Sequence, residues 1–166
     1  GAIWSSCSPD FGPAGASDRL CQINPKILLA APNYSYSGKF IDVITTIKAV
    51  AEGCQLQKIV LLSDTTDERA EIDFDYITLE EFLSPFEPCP IPFKRLPYNA
   101  PLVILFSSGT TGKPKCIVHS AMGLLLQHKK ELMLHCDLRQ DERFFYFTTC
   151  GWMMWNWQVS GLALEA

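Results

Sequence analysis

The chain has 166 residues, of which 48% are apolar and 19% are charged, a balance typical of a soluble globular protein with one core. Its net charge of −4 argues against a nucleic-acid or anionic-membrane surface, and no apolar run approaches the ~20 residues of a membrane span. The seven cysteines are scattered without a C-x-x-C pair, so we expect reduced thiols in the cytosol, with neither a disulfide framework nor a metal site.

The first half of the chain predicts a strand–helix–strand arrangement. The predicted elements are a helix over 18–23 capped by Ser17, a buried strand over 26–31, a turn-rich connection over 32–39, a helix over 40–51 and a buried strand over 58–62. A strand, a helix and a strand of these lengths predict a parallel βαβ unit. We therefore expect an α/β fold with mostly parallel strands and flanking helices.

After the second predicted strand comes an acidic loop over 63–75. Thr78 and Glu81 have the spacing of a capping box and predict a short helix, and a proline-rich connector follows over 85–101. Further predicted elements are strands over 102–106 and 116–118, a helix over 121–135 and an aromatic strand over 144–148. The helix is predicted to be capped by Ser120, and its expected buried positions include Leu125, Leu126, Leu132 and Met133. The chain starts with Gly1 and stops in an apolar run, so we expect an internal piece of a longer protein, truncated at both ends.

Residues 107–115, between two apolar strands, read Ser-Ser-Gly-Thr-Thr-Gly-Lys-Pro-Lys. Glycines let backbone N–H groups approach an anion, hydroxyls donate to phosphate oxygens, and lysines add positive charge. A Walker A loop is excluded, because Ser107 occupies the position of its first glycine and Pro114 follows Lys113. The composition predicts a phosphate-binding loop of another kind.

Three tryptophans and two methionines lie within residues 149–157, which read Thr-Cys-Gly-Trp-Met-Met-Trp-Asn-Trp. Aromatic rings and adaptable methionine side chains suit the wall of a small apolar pocket. The same stripe is also compatible with a heavily packed core helix. The residues by themselves leave both interpretations open.

The 107–115 stretch, together with the Val118-His119-Ser120 run that follows it, resembles the signature loop of the adenylate-forming acyl-CoA synthetases. The resemblance implies that residues 1–166 are part of the large N-terminal AMP-binding domain of such an enzyme. It implies that the loop binds the β- and γ-phosphates of ATP with Mg²⁺, and that Thr111 and Lys115 act in catalysis. The implied phosphate-binding residues are Ser107, Ser108, Gly109, Thr110, Thr111, Gly112, Lys113 and Lys115.

Gly151-Trp152 resembles the Gly-Trp pair that bounds the acyl pocket in this superfamily. Thr149-Cys150 stands where acetyl-activating enzymes carry Asp-Val, which argues against acetate as the substrate. With residues 1–12 included, the chain is similar to the acetoacetate–CoA ligases, and the implied substrates are ATP, CoA and a small carboxylate. The alternatives are an acetyl- or propionyl-CoA synthetase, or a nucleotide-binding piece without activity of its own.

Overall fold

A computed structural model describes residues 1–62, 72–107 and 112–166. The chain divides into two compact units, one formed by Pro9–Pro92 and the other by Gly1–Ser8 together with Phe93–Ala166. Within the described residues, no helix has both the length and the apolar character needed to cross a membrane.

The Pro9–Pro92 unit contains a parallel sheet. Its elements are α1 (Gly12–Ile23), β1 (Ile27–Ala30), β2 (Asn33–Tyr36), β3 (Lys39–Asp42), α2 (Ile44–Gly53), β4 (Lys58–Leu61), β5 (Ile77–Thr78) and α3 (Leu79–Leu83). The sheet order is β1-β4-β5, and both pairings are parallel. Ile44 and Ile47 of α2 pack on Ile59 and Leu61 of β4, because the apolar face of the helix covers the sheet. The predicted parallel βαβ unit is confirmed.

The predicted start of the second helix at residue 40 is wrong. Residues 33–42 instead form the antiparallel hairpin β2–β3, and Phe40 lies on β3 with 57% of its surface exposed. Ser37 and Gly38 have φ of 51° and 75°, the two positive angles of a tight two-residue hairpin turn. The Ser-Gly pair was therefore a hairpin signal inside the connection predicted over 32–39.

The first helix also begins earlier than predicted. It starts at Gly12, and Ser17 lies inside it without capping it. Pro13 occupies the first turn, where its fixed φ and missing N–H cost the helix nothing. The capping box of α3 is confirmed, since Thr78 Oγ1 accepts from the Glu81 N–H at 3.1 Å and Glu81 Oε2 accepts from the Thr78 N–H at 2.7 Å.

The expectation that all seven thiols are reduced is wrong for Cys21 and Cys54. The structure joins these two residues in a disulfide, with their Cα atoms 5.0 Å apart. Cys21 lies in α1 and Cys54 directly follows α2, so the bond ties the two helices together. A sequence separation of 33 residues carries no pairing signal, because the pairing depends on how α1 and α2 pack.

The Gly1–Ser8 and Phe93–Ala166 unit is built around a hairpin and helices. Its elements are β6 (Pro101–Phe106), β7 (Cys116–Ser120), α4 (Ala121–Lys130), a π-helical turn (Glu131–His135), α5 (Met153–Val159) and a 3₁₀ turn (Ser160–Leu164). Strands β6 and β7 pair antiparallel, with Val103 opposite His119 and Phe106 opposite Cys116. Ser120 caps α4 as predicted, because its Oγ accepts from the Gly123 N–H at 3.3 Å.

Other predictions for this unit are wrong. Residues 144–148 form no strand, and Phe145 and Phe147 are largely exposed. Of the four apolar residues expected to be buried on the long helix, Leu132 alone is buried, at 0% exposure, while Leu125, Leu126 and Met133 are exposed. Strand β7 is likewise exposed over residues 116–118. The apolar pattern identified the long helix and β7 but wrongly predicted a strand over 144–148, and it could not show which faces have a partner.

Candidate functional site

The residues 107–115 lie at the end of the β6–β7 hairpin. The Ser107 N–H donates to the Lys115 carbonyl oxygen at 3.0 Å, directly beyond the Phe106–Cys116 pair. The two ends of the segment are therefore held together by a backbone hydrogen bond. Ser108, Gly109, Thr110 and Thr111 lie outside the described residues, so their predicted phosphate contacts stay predictions.

Gly112 has a backbone conformation that suits glycine. Its φ is +154°, which L side chains rarely adopt, and a Cβ built there would meet nothing within 4 Å. The requirement for glycine is therefore conformational rather than steric. Lys113 and Lys115 are exposed and place two positive charges directly after Gly112.

Gly151 and Trp152 form a turn that leads into α5. The Trp152 N–H donates to the Thr149 oxygen at 3.1 Å, and the Trp152 oxygen accepts from the Trp155 N–H at 3.1 Å. The turn therefore fixes the backbone of Trp152 while leaving its side chain accessible, with the residue 65% exposed. An accessible ring on a fixed backbone can contact a ligand.

An aromatic cleft of about 560 Å³ lies beside α5. Trp155, Gln158 and Val159 of α5 line one side, and the segment 144–148 lines the other. Behind it, the Trp157 ring meets the Phe144 ring edge to face, with centroids 4.9 Å apart. The Trp-rich stretch thus contributes Trp155 to the lining of a cleft and Trp157 to a half-buried ring pair, but Gly151 and Trp152 are not among the residues that line this cleft.

Residues 4–6, for which no separate role was predicted, contact both the strand before the 107–115 segment and the residue before Gly151. The Trp4 N–H donates to the Leu102 oxygen at 2.8 Å, and the Ile104 N–H donates to the Trp4 oxygen at 2.9 Å. Ser6 Oγ donates to the Cys150 oxygen at 2.7 Å. These residues therefore contact both the strand that enters the 107–115 loop and the turn that carries Trp152.

A buried polar cluster links α4 to α5. His128 is 6% exposed, its Nδ1 lies 2.8 Å from Ser160 Oγ, and Ser160 Oγ donates to the Asn156 oxygen at 2.9 Å. The Ser160 hydroxyl has one proton, so while it donates to Asn156 the bond to His128 requires the imidazole tautomer that carries its proton on Nδ1. Burial and the nearby His119 hold the pKa of His128 below its ordinary value of 6.5, against the opposing effect of Glu131. His128 is therefore a neutral structural group near pH 7.

The described residues contain no group of three or more His, Cys, Asp or Glu side chains that could hold a metal ion. Charge at the 107–115 loop comes from Lys113 and Lys115 rather than from carboxylates. The described part of this segment offers two exposed lysines and a glycine with positive φ, which are compatible with the predicted anion site.

A family model described as AMP-binding enzyme matches residues 1–164, and the chain belongs to that family. It is 52% identical over 168 residues to an acetoacetyl-coenzyme A synthetase of Rhizobium meliloti, and 45% identical over 174 residues to the acetoacetyl-CoA synthetase of Mus musculus. Each alignment covers 100% of this chain and 26% of the relative. The chain therefore spans about a quarter of the length of these curated relatives.

Solved structures agree with this membership. An acetoacetyl-CoA synthetase from Streptomyces lividans superposes with a TM-score of 0.88 at 38% identity, covering 99% of this chain and 25% of that one. A luciferase-like enzyme from the mealworm Zophobas morio superposes with a TM-score of 0.66 at 21% identity, covering 95% of this chain and 33% of that one, which shows a shared fold. The predicted α/β fold of an adenylate-forming N-terminal domain is confirmed.

Proposed function

We propose that the intact protein is an acid–CoA ligase that activates acetoacetate through an acyl-adenylate. The acetoacetate carboxylate would attack the α-phosphorus of ATP and release diphosphate, and the thiol of CoA would then displace AMP to give acetoacetyl-CoA. The observation that carries the proposal is the hydrogen bond that joins Ser107 to Lys115 at the two ends of the 107–115 segment, in a chain that belongs to the AMP-binding enzyme family. The choice of acid rests on the relatives, which are named acetoacetyl-CoA synthetases.

The proposed role of the loop is to hold the triphosphate in line while negative charge builds up on the leaving diphosphate. Adenylation needs little covalent help from the protein, so positioning and electrostatic stabilisation carry the reaction. Thr111 and Lys115 are proposed to act on the reacting phosphates. The full proposed set is Ser107, Ser108, Gly109, Thr110, Thr111, Gly112, Lys113 and Lys115, whose hydroxyls, backbone N–H groups and ammonium groups would donate to phosphate oxygens.

Gly151 and Trp152 are proposed to bound the acyl group. Support comes from the fixed turn, which leaves the Trp152 ring accessible. An exposed ring attached to a rigid backbone can limit the length of a small acid without rearranging the fold. Mg²⁺ would accompany the phosphates of ATP, and no residue described here is assigned to it.

We also propose that residues 1–166 are part of the AMP-binding domain of a longer enzyme that works in the cytosol. Support for the first point is that the family model matches residues 1–164, while the curated relatives are about four times as long as the region they share with this chain. The negative net charge and the absence of a membrane-spanning helix among the described residues are compatible with the second.

The test is acid-dependent exchange of labelled diphosphate into ATP by the intact protein, with acetoacetate, acetate and propionate compared at equal concentrations. We expect acetoacetate to give the highest kcat/KM, followed by acetoacetyl-CoA formation when CoA is added. Faster exchange with acetate or propionate would assign the protein to another acyl-CoA synthetase. No exchange with any of the three acids would refute the proposed activity.

A further inference from the structure

Residues 4–6, here called the linking segment, run beside β6. Trp4 forms a parallel bridge with Val103, and its backbone hydrogen bonds to Leu102 and Ile104 measure 2.8 and 2.9 Å. Ser5 Oγ adds a bond of 2.8 Å to the Ile104 oxygen. The linking segment is therefore attached to strand β6, which ends at Phe106, directly before the 107–115 segment.

The same segment holds the turn that carries Trp152. Ser6 Oγ accepts from the Trp4 indole N–H at 3.3 Å and donates to the Cys150 oxygen at 2.7 Å. The Trp4 ring stacks on the Trp155 ring, with centroids 6.0 Å apart and planes 21° from parallel. The turn is thus held at two points, one before Gly151 and the other in the first turn of α5.

We propose that Ser6 is a positioning residue that sets the place of the Trp152 turn relative to β6 and thereby determines which carboxylic acids the protein accepts. The inference rests on the proposed ligase function and deepens it. Ser6 acts through the Cys150 carbonyl group rather than on a substrate. The hydrogen bond of the Ser6 hydroxyl joins Ser6 to Cys150, which lies 144 positions further along the chain. It therefore ties the linking segment to a turn that is distant in the sequence.

The chemistry of the contact predicts a selective effect. The bond from Ser6 to Cys150 is short and half-buried, so its loss would remove one tether between the linking segment and the turn and weaken the hold on the turn. The backbone bonds of Trp4 to β6 do not involve the Ser6 side chain and remain. Removing the hydroxyl should therefore disturb acid recognition and leave the phosphate loop in place.

The test compares three variants of the intact protein in the diphosphate-exchange assay. Ser6→Ala should raise the KM for acetoacetate about three- to tenfold, the range expected for one lost hydrogen bond, with the KM for ATP unchanged. Ser6→Thr keeps the hydroxyl and should restore the KM to within about twofold of the wild type. Ser5→Ala is the matched control, since it removes a similar hydroxyl–carbonyl bond that reaches β6 instead of the turn.

Hydrogen exchange of the Trp152 amide gives a second readout that needs no activity. It should be about three- to tenfold faster in Ser6→Ala and unchanged in Ser5→Ala. An unchanged acid KM in an active Ser6→Ala variant, or equal amide exchange in the two alanine variants, overturns the inference. A wild-type protein without acid-dependent diphosphate exchange refutes the ligase function instead, and the amide exchange then still decides whether Ser6 positions the turn.

Discussion

Gly112→Ala is the most direct test of the 107–115 loop. A Cβ at residue 112 would meet nothing within 4 Å, so the substitution adds no clash. Its cost is the backbone conformation alone, because φ of +154° lies in a region almost restricted to glycine. Holding a non-glycine residue in such a region costs about 1–3 kcal/mol. If adenylation requires this conformation, the rate of diphosphate exchange should fall about 5- to 150-fold.

Gly38→Ala is the matched control for that experiment. Gly38 also has a positive φ, at 75°, and also has open space around a built Cβ, but it lies in the β2–β3 turn. It should lower the melting temperature without slowing diphosphate exchange. An unchanged exchange rate in folded Gly112→Ala would show that the loop conformation does not serve adenylation. An equal loss in both variants would show that the effect is one of general stability.

Three further predictions concern acid length, packing and pH. Trp152→Gly should raise kcat/KM for longer acids relative to acetoacetate by about tenfold or more. Met153→Ala, at the neighbouring exposed residue, is the control and should leave this ratio unchanged. An unchanged acid preference in the Trp152 variant would refute the acyl-pocket role. Leu132 is 0% exposed, and Leu132→Ala should lower the free energy of unfolding, measured in urea, by about 2–5 kcal/mol. Leu134 is 74% exposed, and Leu134→Ala should change that free energy by less than about 0.5 kcal/mol. Equal losses of stability in the two variants would contradict the observed packing of Leu132. Because the pKa of His128 is lower in the folded chain than in the unfolded chain, the unfolded chain binds more protons below pH 6.5 and stability falls as the pH decreases through that window. The slope from this one group cannot exceed about 1.4 kcal/mol per pH unit, and a His128→Gln variant whose urea midpoints keep the wild-type pH slope would contradict the assignment.

Local signals in the sequence predicted the starts of α3 and α4, although the cap predicted at Ser17 is wrong. Thr78 and Glu81 form the capping box that their spacing indicated, and Ser120 caps the helix it precedes. These features depend on hydrogen bonds between residues three positions apart, which the order of the residues largely determines. The start of α2 was misplaced because the apolar period continued backwards into β3, where Phe40 belongs to a hairpin strand and is exposed.

Burial and long-range pairing were much less accessible from the sequence. Leu126 and Leu132 are equally apolar and lie in one continuous helical segment, yet the first is 66% exposed and the second is fully buried. The disulfide between Cys21 and Cys54 depends on the approach of two helices, and no cysteine spacing indicates it. In each case the outcome is decided by a partner surface that lies elsewhere in the chain.

The sequence by itself determined the chemical character of the candidate site, because hydroxyls, glycines and lysines at 107–115 have the same hydrogen-bonding capacity and charge in any fold. It also determined the apolar strand that precedes them. Only the tertiary structure decided that Ser107 closes the loop on Lys115 and that Ser6 reaches Cys150. The physical reason is that contacts between distant residues form only when many weak packing interactions fix the path of the chain between them.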